Sequence, residues 1–141
     1  AVTSGPNVEL VSTLGADQVI DYTVTDFTML DQQWDVVFDA VGSSTFAKAK
    51  RVLAPNGIYL STVPGVILIQ SLFTKRAAIS FTGLRSDAAK RPDLVELARL
   101  TAEGHLTPLN DSTYPLTEVA QAHARVDSKR KRGTVVLAPQ R

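Results

Sequence analysis

Residues 34–40 (WDVVFDA) constrain the fold more than any other stretch. The run is nearly continuously apolar, which suits a strand covered on both faces better than one with a wet face. Strand-like and helix-like patterns alternate on either side of it, the signature of an α/β domain. The chain has 141 residues, 44% of them apolar. That is enough for one domain, or one domain plus an appendage, with a sizeable core. Wholesale disorder is excluded on the same ground.

The pattern predicts these elements in order. A strand end occupies residues 1–4, and Gly5-Pro6 turn the chain into a helix carrying Val8, Leu10, Val11 and Leu14, with Gly15 as its stop. Strands follow at 18–22 and 34–40, separated by a weak helix around Phe27, Met29 and Leu30. A helix face is formed by Phe46, Ala47, Ala49, Val52 and Leu53. Pro55-Asn56-Gly57 reads as a turn, because proline fixes φ and glycine tolerates a positive one. Then come a strand at 58–62, a short helix at 66–74 and a strand at 77–83. The remainder reads as helix 92–103, an extended polar stretch 106–114, helix 117–126 capped by Thr117, and strand 133–138. The predicted fold is therefore α/β: an incomplete doubly wound (Rossmann-like) parallel sheet over 1–84, with a C-terminal helix-strand-helix-strand tail over 85–141.

Several function classes fall away. The formal net charge of +1 carries no nucleic-acid signal. The longest apolar stretch, 66–73, is broken by Gln70 and Ser71 and is far short of the roughly 20 residues a membrane span needs. With no cysteine there is no disulfide or thiolate metal site, and a cytoplasmic setting is expected. The start Ala1-Val2-Thr3, without a charged n-region, reads as the interior of a larger protein rather than a signal peptide. His105 and His123 have no carboxylate at zinc-ligand spacing, so no metal site is expected, and His123 is expected to be structural. No nucleophile elbow, phosphate loop or Ser-His-Asp order appears, and no catalytic residue is identified.

Taken in order, certain short motifs resemble one family. Asn7-Val8-Glu9-Leu10 with Leu14-Gly15-Ala16-Asp17 and Val19-Ile20-Asp21-Tyr22 is similar to a second helix and third strand. The run from Asp35 through Phe38-Asp39-Ala40-Val41-Gly42, then Leu53-Ala54-Pro55-Asn56-Gly57, is similar to a fourth strand and the turn before a fifth. Tyr114-Pro115-Leu116, Ala120, Ala122-His123 and Arg132-Gly133 are similar to that family's C-terminal ending. The whole chain resembles the zinc-independent quinone oxidoreductase branch of the medium-chain dehydrogenase/reductase superfamily. A generic Rossmann-like domain is the blander alternative.

The resemblance implies hydride transfer from NADPH to a quinone, enone or related carbonyl compound, a small-molecule substrate, and no nucleic-acid or membrane partner. A non-enzymatic cofactor-sensing or scaffold protein, or an inactive fragment, is the alternative. The glycine-rich phosphate loop is missing, since no G-x-G-x-x-G occurs. In a sheet of order 3-2-1-4-5-6 the missing strand lies in the middle, which leaves a gap between the first two strands and the next three. The isolated chain is accordingly expected to be inactive.

Ribose is read at the end of the second strand, and residues 3–8 hold no carboxylate, which favours NADP over NAD. Ser4 and Asn7 can donate to a 2′-phosphate, or they can simply cap the following helix. The resemblance places Tyr22 against the same phosphate. Val41, Gly42 and Ser43 form one carboxyl-end rim, and Thr62, Val63 and Pro64 another. Each turn is either cofactor-facing or an ordinary strand–helix connection, with Ser43 or Ser44 as an N-cap. Asp21 and Asp39, near strand ends, are expected to bind loop amides rather than to act catalytically. Lys129-Arg130-Lys131-Arg132 is a solvated turn or a cofactor contact. Finally, the strand at 77–83 has no proline or charge to block pairing, and the resemblance implies a homodimer through that edge.

Overall fold

A computed structural model describes residues 1–80 and 85–139. It divides into two compact units, Ala1–Leu84 and Arg85–Arg141.

In the first unit, β1 (Val2–Thr3) leads through a 3-10 turn, Gly5–Asn7, into α1 (Val8–Thr13). Then follow β2 (Ile20–Asp21), β3 (Trp34–Asp39), α2 (Phe46–Ala49), β4 (Leu53–Ser61), α3 (Val66–Phe73) and β5 (Ala77–Ile79). All strand pairings are parallel. β1 pairs with β2, while β3, β4 and β5 form a separate sheet in that order. The expected break between the first two strands and the next three is present. The chain does not close it by pairing β1 or β2 with β3.

The core lies on one face of the three-stranded sheet. Ala49 of α2, Leu53 and Tyr59 of β4, Ile67 of α3 and Ala77 of β5 are buried together, with Val37, Phe46 and Ile79 packed against them. Pleating decides which residues take part: Tyr59 and Ser61 are buried, while Ile58 and Leu60, which alternate with them, point to the other face and are only partly covered. The full two-sided cover expected of residues 34–40 is not found. Val36 and Phe38, on the face opposite the core, are 52% and 57% exposed. They border an open trough of about 940 Å³ whose other wall includes Val2, Ile20 and Tyr22.

Four local expectations are corrected. Pro55-Asn56-Gly57 does not precede the strand but forms an irregularity inside β4, where the register passes from Trp34↔Leu53 to Val36↔Ile58. Gly57 is required there because a Cβ would stand 2.7 Å from the Trp34 carbonyl oxygen. Arg76 secures the irregularity by donating from Nε to the Gly57 carbonyl at 2.9 Å and from Nη2 to the Ala54 carbonyl at 2.7 Å. Around Phe27 the chain makes only a 3-10 turn, Phe27–Met29, capped by Asp26 accepting from the Thr28 amide at 2.9 Å. Of the strand expected at 77–83, β5 covers Ala77–Ile79, and residues 81–83 lie outside the described residues.

The second unit is α4 (Asp87–Ala102), β6 (Asn110–Pro115), α5 (Val119–Asp127) and β7 (Thr134–Ala138), with β6 and β7 parallel. The expected tail order holds. The fourth correction concerns its helix starts. Helix α4 begins before Pro92, because Ser86 caps it by accepting from the Ala89 amide at 3.3 Å. Helix α5 is entered through a 3-10 turn, Leu116–Glu118, so Thr117 lies inside that turn and is not the cap. Arg125 of α5 grips Asp111 of β6 with Nε at 2.7 Å and Nη2 at 2.6 Å, and the Arg132 amide donates to the same carboxylate at 2.6 Å. This bidentate pair ties the crossover helix and the turn before β7 to β6.

Candidate functional site

The described carboxyl ends of β3 and β4 form one rim. Asp39, the last residue of β3, is 7% exposed and is the centre of a hydrogen-bond cradle. Its Oδ1 accepts from the amides of Val41 at 3.1 Å, Gly42 at 2.7 Å and Ser43 at 3.3 Å. Its Oδ2 accepts from the Ser44 amide at 2.9 Å and from the Tyr59 hydroxyl at 2.8 Å. The loop therefore wraps around the side chain of the residue that ends the strand. The expectation that Asp39 binds loop amides is met.

Burial would push the Asp39 carboxyl up, but the Ser44 amide, the Tyr59 hydroxyl and the Val41 and Gly42 amides outweigh it and hold it below the ordinary value of 3.8. Tyr59 is 1% exposed. Burial pushes its phenol well above the usual range, and the hydrogen bond to Asp39 and that residue's charge push the same way. Tyr59 is thus a fixed proton donor and Asp39 a fixed acceptor.

The second rim turn packs directly on the first. The Thr62 amide donates to the Asp39 carbonyl at 3.1 Å, and Thr62 Oγ1 donates to the Ala40 carbonyl at 3.1 Å. Gly42 has φ +76°, and a Cβ there would stand 2.9 Å from Val63 Cβ. Glycine is needed twice over, for the left-handed backbone and for the close approach. Val41 is left 79% exposed at the tip. The Ser44 hydroxyl is buried with no hydrogen-bond partner among the described residues. The alternative of an N-cap at Ser43 or Ser44 is not what forms: Thr45 caps α2, accepting from the Lys48 amide at 3.4 Å.

The same end of the two-stranded sheet carries the other candidates. Thr3 pairs with Asp21, and the Tyr22 amide donates to the Thr3 carbonyl at 3.0 Å, so Ser4 and Tyr22 leave the sheet side by side. Neither Ser4 nor Asn7 caps the backbone that follows with its side chain. Instead Asn7 Nδ2 donates to Ser4 Oγ at 3.3 Å. Tyr22 is 62% exposed. Asp21 also arrives here, which the order of residues 3–8 does not reveal. A Cβ on Gly5 would stand 2.7 Å from its Oδ2. Asp21 is held below the ordinary carboxylate value mainly by the Thr23 hydroxyl, 2.7 Å from Oδ1, and then by the Thr23 amide at 2.9 Å. Sequence reasoning placed Asp21 against loop amides, as the Thr23 amide bears out, but not beside Gly5, and it missed Tyr59 altogether. The parallel register of β1 with β2 brings in the first, and that of β3 with β4 the second.

The remaining candidates lie in the second unit. Lys129-Arg130-Lys131-Arg132 forms the turn between α5 and β7 in the second unit. His105 is exposed, 3.8 Å from Glu103. His123 lies exposed on α5, not in a core. Among the described residues no three His, Cys, Asp or Glu side chains are grouped to hold a metal, and no helix is long and apolar enough to cross a membrane.

Parallel strands with connecting helices, and glycine-bearing loops at their carboxyl ends, define a Rossmann-like α/β protein. The chain belongs to the zinc-binding dehydrogenase family, whose model matches residues 14–137. It is 29% identical over 142 residues to the NADPH-dependent alkenal/one oxidoreductase, chloroplastic, of Arabidopsis thaliana, covering 99% of this chain and 33% of that protein. The solved quinone oxidoreductase from Coxiella burnetii superposes with a TM-score of 0.77 at 25% identity, covering 99% of this chain and 44% of the other. A quinone oxidoreductase of Pseudomonas syringae pv. Tomato DC3000 gives 0.72 at 26% identity, covering 98% and 48%. The expected quinone-oxidoreductase-like membership of the medium-chain dehydrogenase/reductase superfamily holds. The chain spans about a third of the length of the first relative and under half of each of these structures. The zinc in the family's description finds no ligand set among the described residues.

Proposed function

We propose that this chain is the cofactor-holding part of an NADPH-dependent oxidoreductase that passes hydride to a quinone, enone or related carbonyl compound. The observation that carries the proposal is the joined rim of β3 and β4. Its loop is clamped on Asp39, its glycine lies against Val63, and the neighbouring Ser44 hydroxyl has no partner among the described residues. Such a rim fits the ribose and nicotinamide of a dinucleotide, approached by Val41, Gly42 and Thr62. Ser4 and Asn7, joined side chain to side chain beside Tyr22, suit the 2′-phosphate, which accepts hydrogen bonds without needing a counter-charge from each donor. The cofactor when bound supplies the hydride, while the chain's own residues bind, orient and shape.

The trough between the two sheets is the seat of the central strand that the order 3-2-1-4-5-6 requires. The proposed setting is cytoplasmic and the proposed assembly a homodimer through the edge at β5. The test is NADPH oxidation by the protein, expressed from its whole reading frame, against a panel of quinones and enones. Turnover is expected there and none from the 141-residue chain alone. NADPH binding without turnover on any acceptor would instead indicate a cofactor sensor.

A further inference from the structure

Asp39 sits at the one point where loop 41–44, the core and the second rim meet. Five groups converge on its two oxygens: the amides of Val41, Gly42, Ser43 and Ser44, and the hydroxyl of Tyr59. The loop amides fold the backbone over the carboxylate. Tyr59 reaches it from β4, inside the cluster of Ala49, Leu53, Ile67 and Ala77. The main chain of the same residue accepts from the Thr62 amide at 3.1 Å, so one residue holds both turns. A loop with Val41 79% exposed has little apolar packing of its own to fix it. Its conformation depends instead on charge-assisted bonds to one buried acceptor.

We infer that Asp39, oriented by Tyr59, is a positioning residue for the cofactor: it sets the left-handed Gly42 turn against Val63 so that loop 41–44 is formed before any ligand arrives. This rests on the reading of the rim as the nicotinamide–ribose site. Asp39 itself faces the amides and the core and does not touch the reacting atoms. An ionised carboxylate is required because both oxygens must accept. An asparagine in its place would turn an N–H toward the Ser44 amide or the Tyr59 hydroxyl and leave a buried group unsatisfied. The depressed carboxyl of Asp39 and the raised phenol of Tyr59 agree with that assignment of donor and acceptor.

The test compares Asp39→Asn, Tyr59→Phe and the control Thr45→Ala, all in the protein from its whole reading frame. Thr45→Ala removes the adjoining cap of α2 but leaves the Asp39 cradle intact. Without cofactor, Asp39→Asn is expected to speed amide exchange at 41–44 and to shift the Gly42 amide proton upfield, since its 2.7 Å bond to a charged oxygen is lost. NADPH, titrated by fluorescence, is expected to bind roughly tenfold more weakly, the scale of one charged hydrogen bond. Thr45→Ala is expected to leave that affinity within about twofold. Unchanged exchange at 41–44 would overturn the inference. So would a loosened loop with unchanged NADPH affinity, or an equal loss of affinity in Thr45→Ala. If Asp39→Asn does not fold, Tyr59→Phe decides on the same criteria. A wild-type protein that binds no NADPH would sink the proposed function, while exchange and the Gly42 signal still decide whether Asp39 holds the loop.

Discussion

Gly42 and Val63 follow different strands, yet they stand so close that a Cβ on Gly42 would lie 2.9 Å from the Val63 Cβ. Gly42 is also held at φ +76° by the Asp39 carboxylate. Gly42→Ala therefore meets two separate penalties, about 1–2 kcal/mol for the left-handed backbone and a further cost for the clash. Because the clash is with Val63 Cβ, Val63→Ala will not relieve it and Val63→Gly will. Urea unfolding of the double variant Gly42→Ala/Val63→Gly should recover the clash cost and retain the backbone cost. Simple additivity would refute the close approach.

Acid should weaken the fold through two carboxylates, one in each unit. Asp39 is held below 3.8 by its amides and Tyr59, net of burial. Asp111 is held lower still, first by Arg125 and then by the Arg132 amide. A carboxyl depressed on folding contributes stability that is complete above its unfolded value and lost as pH falls through its folded value. Stability should thus fall from about pH 4 downward. Asp39→Asn should cost about 2 kcal/mol at neutral pH, and its deficit should shrink on acidification. Urea melts at pH 7, 4 and 3 check this, and a deficit constant across that range would contradict it.

Phe38 is 57% exposed on the trough, although its strand reads as fully buried. In the 141-residue chain Phe38→Ala should cost well under the ~3–5 kcal/mol of a buried phenylalanine. If a further strand fills the trough in the protein from its whole reading frame, the same change there should approach that figure. Equal small costs in both settings would remove the reading of the trough as a strand's seat.

Ser4→Asp should weaken NADPH by about tenfold more than NADH, because a carboxylate beside a 2′-phosphate repels it. Asp21 already lies beside Gly5 with its Oδ1 held by the Thr23 hydroxyl and amide, so the expected effect is that of a second carboxylate added to this one. Equal weakening of both cofactors in paired titrations would show that Ser4 does not read the phosphate.

The dimer proposal is best tested at Ser80. Its side chain is exposed, and its amide donates inward to the Ser61 carbonyl at 2.8 Å. A proline there would break that bond within the sheet, whereas lysine keeps it and adds a charge to the edge. Sedimentation should find a wild-type dimer and a folded Ser80→Lys monomer. A monomeric wild type at micromolar concentration would end the proposal.

The sequence by itself determined the alternation of strands and helices, the order of the tail and the location of the rims. These follow from local periodicity and from turn residues, which act over a few positions. It also marked Gly42 and Asp39 as the end of a strand and its loop. Tertiary structure alone decided what reaches them. Tyr59 meets Asp39 because β4 lies parallel to β3 in register, with Asp39 opposite Ser61. Asp21 reaches Gly5 because Thr3 pairs with Asp21 across α1. The same distinction explains the one-sided cover of β3. An apolar run states a capacity for burial on both faces, but burial itself depends on which elements pack there. Here α2 and α3 contribute core residues to one face only, so Val36 and Phe38 border open space on the other.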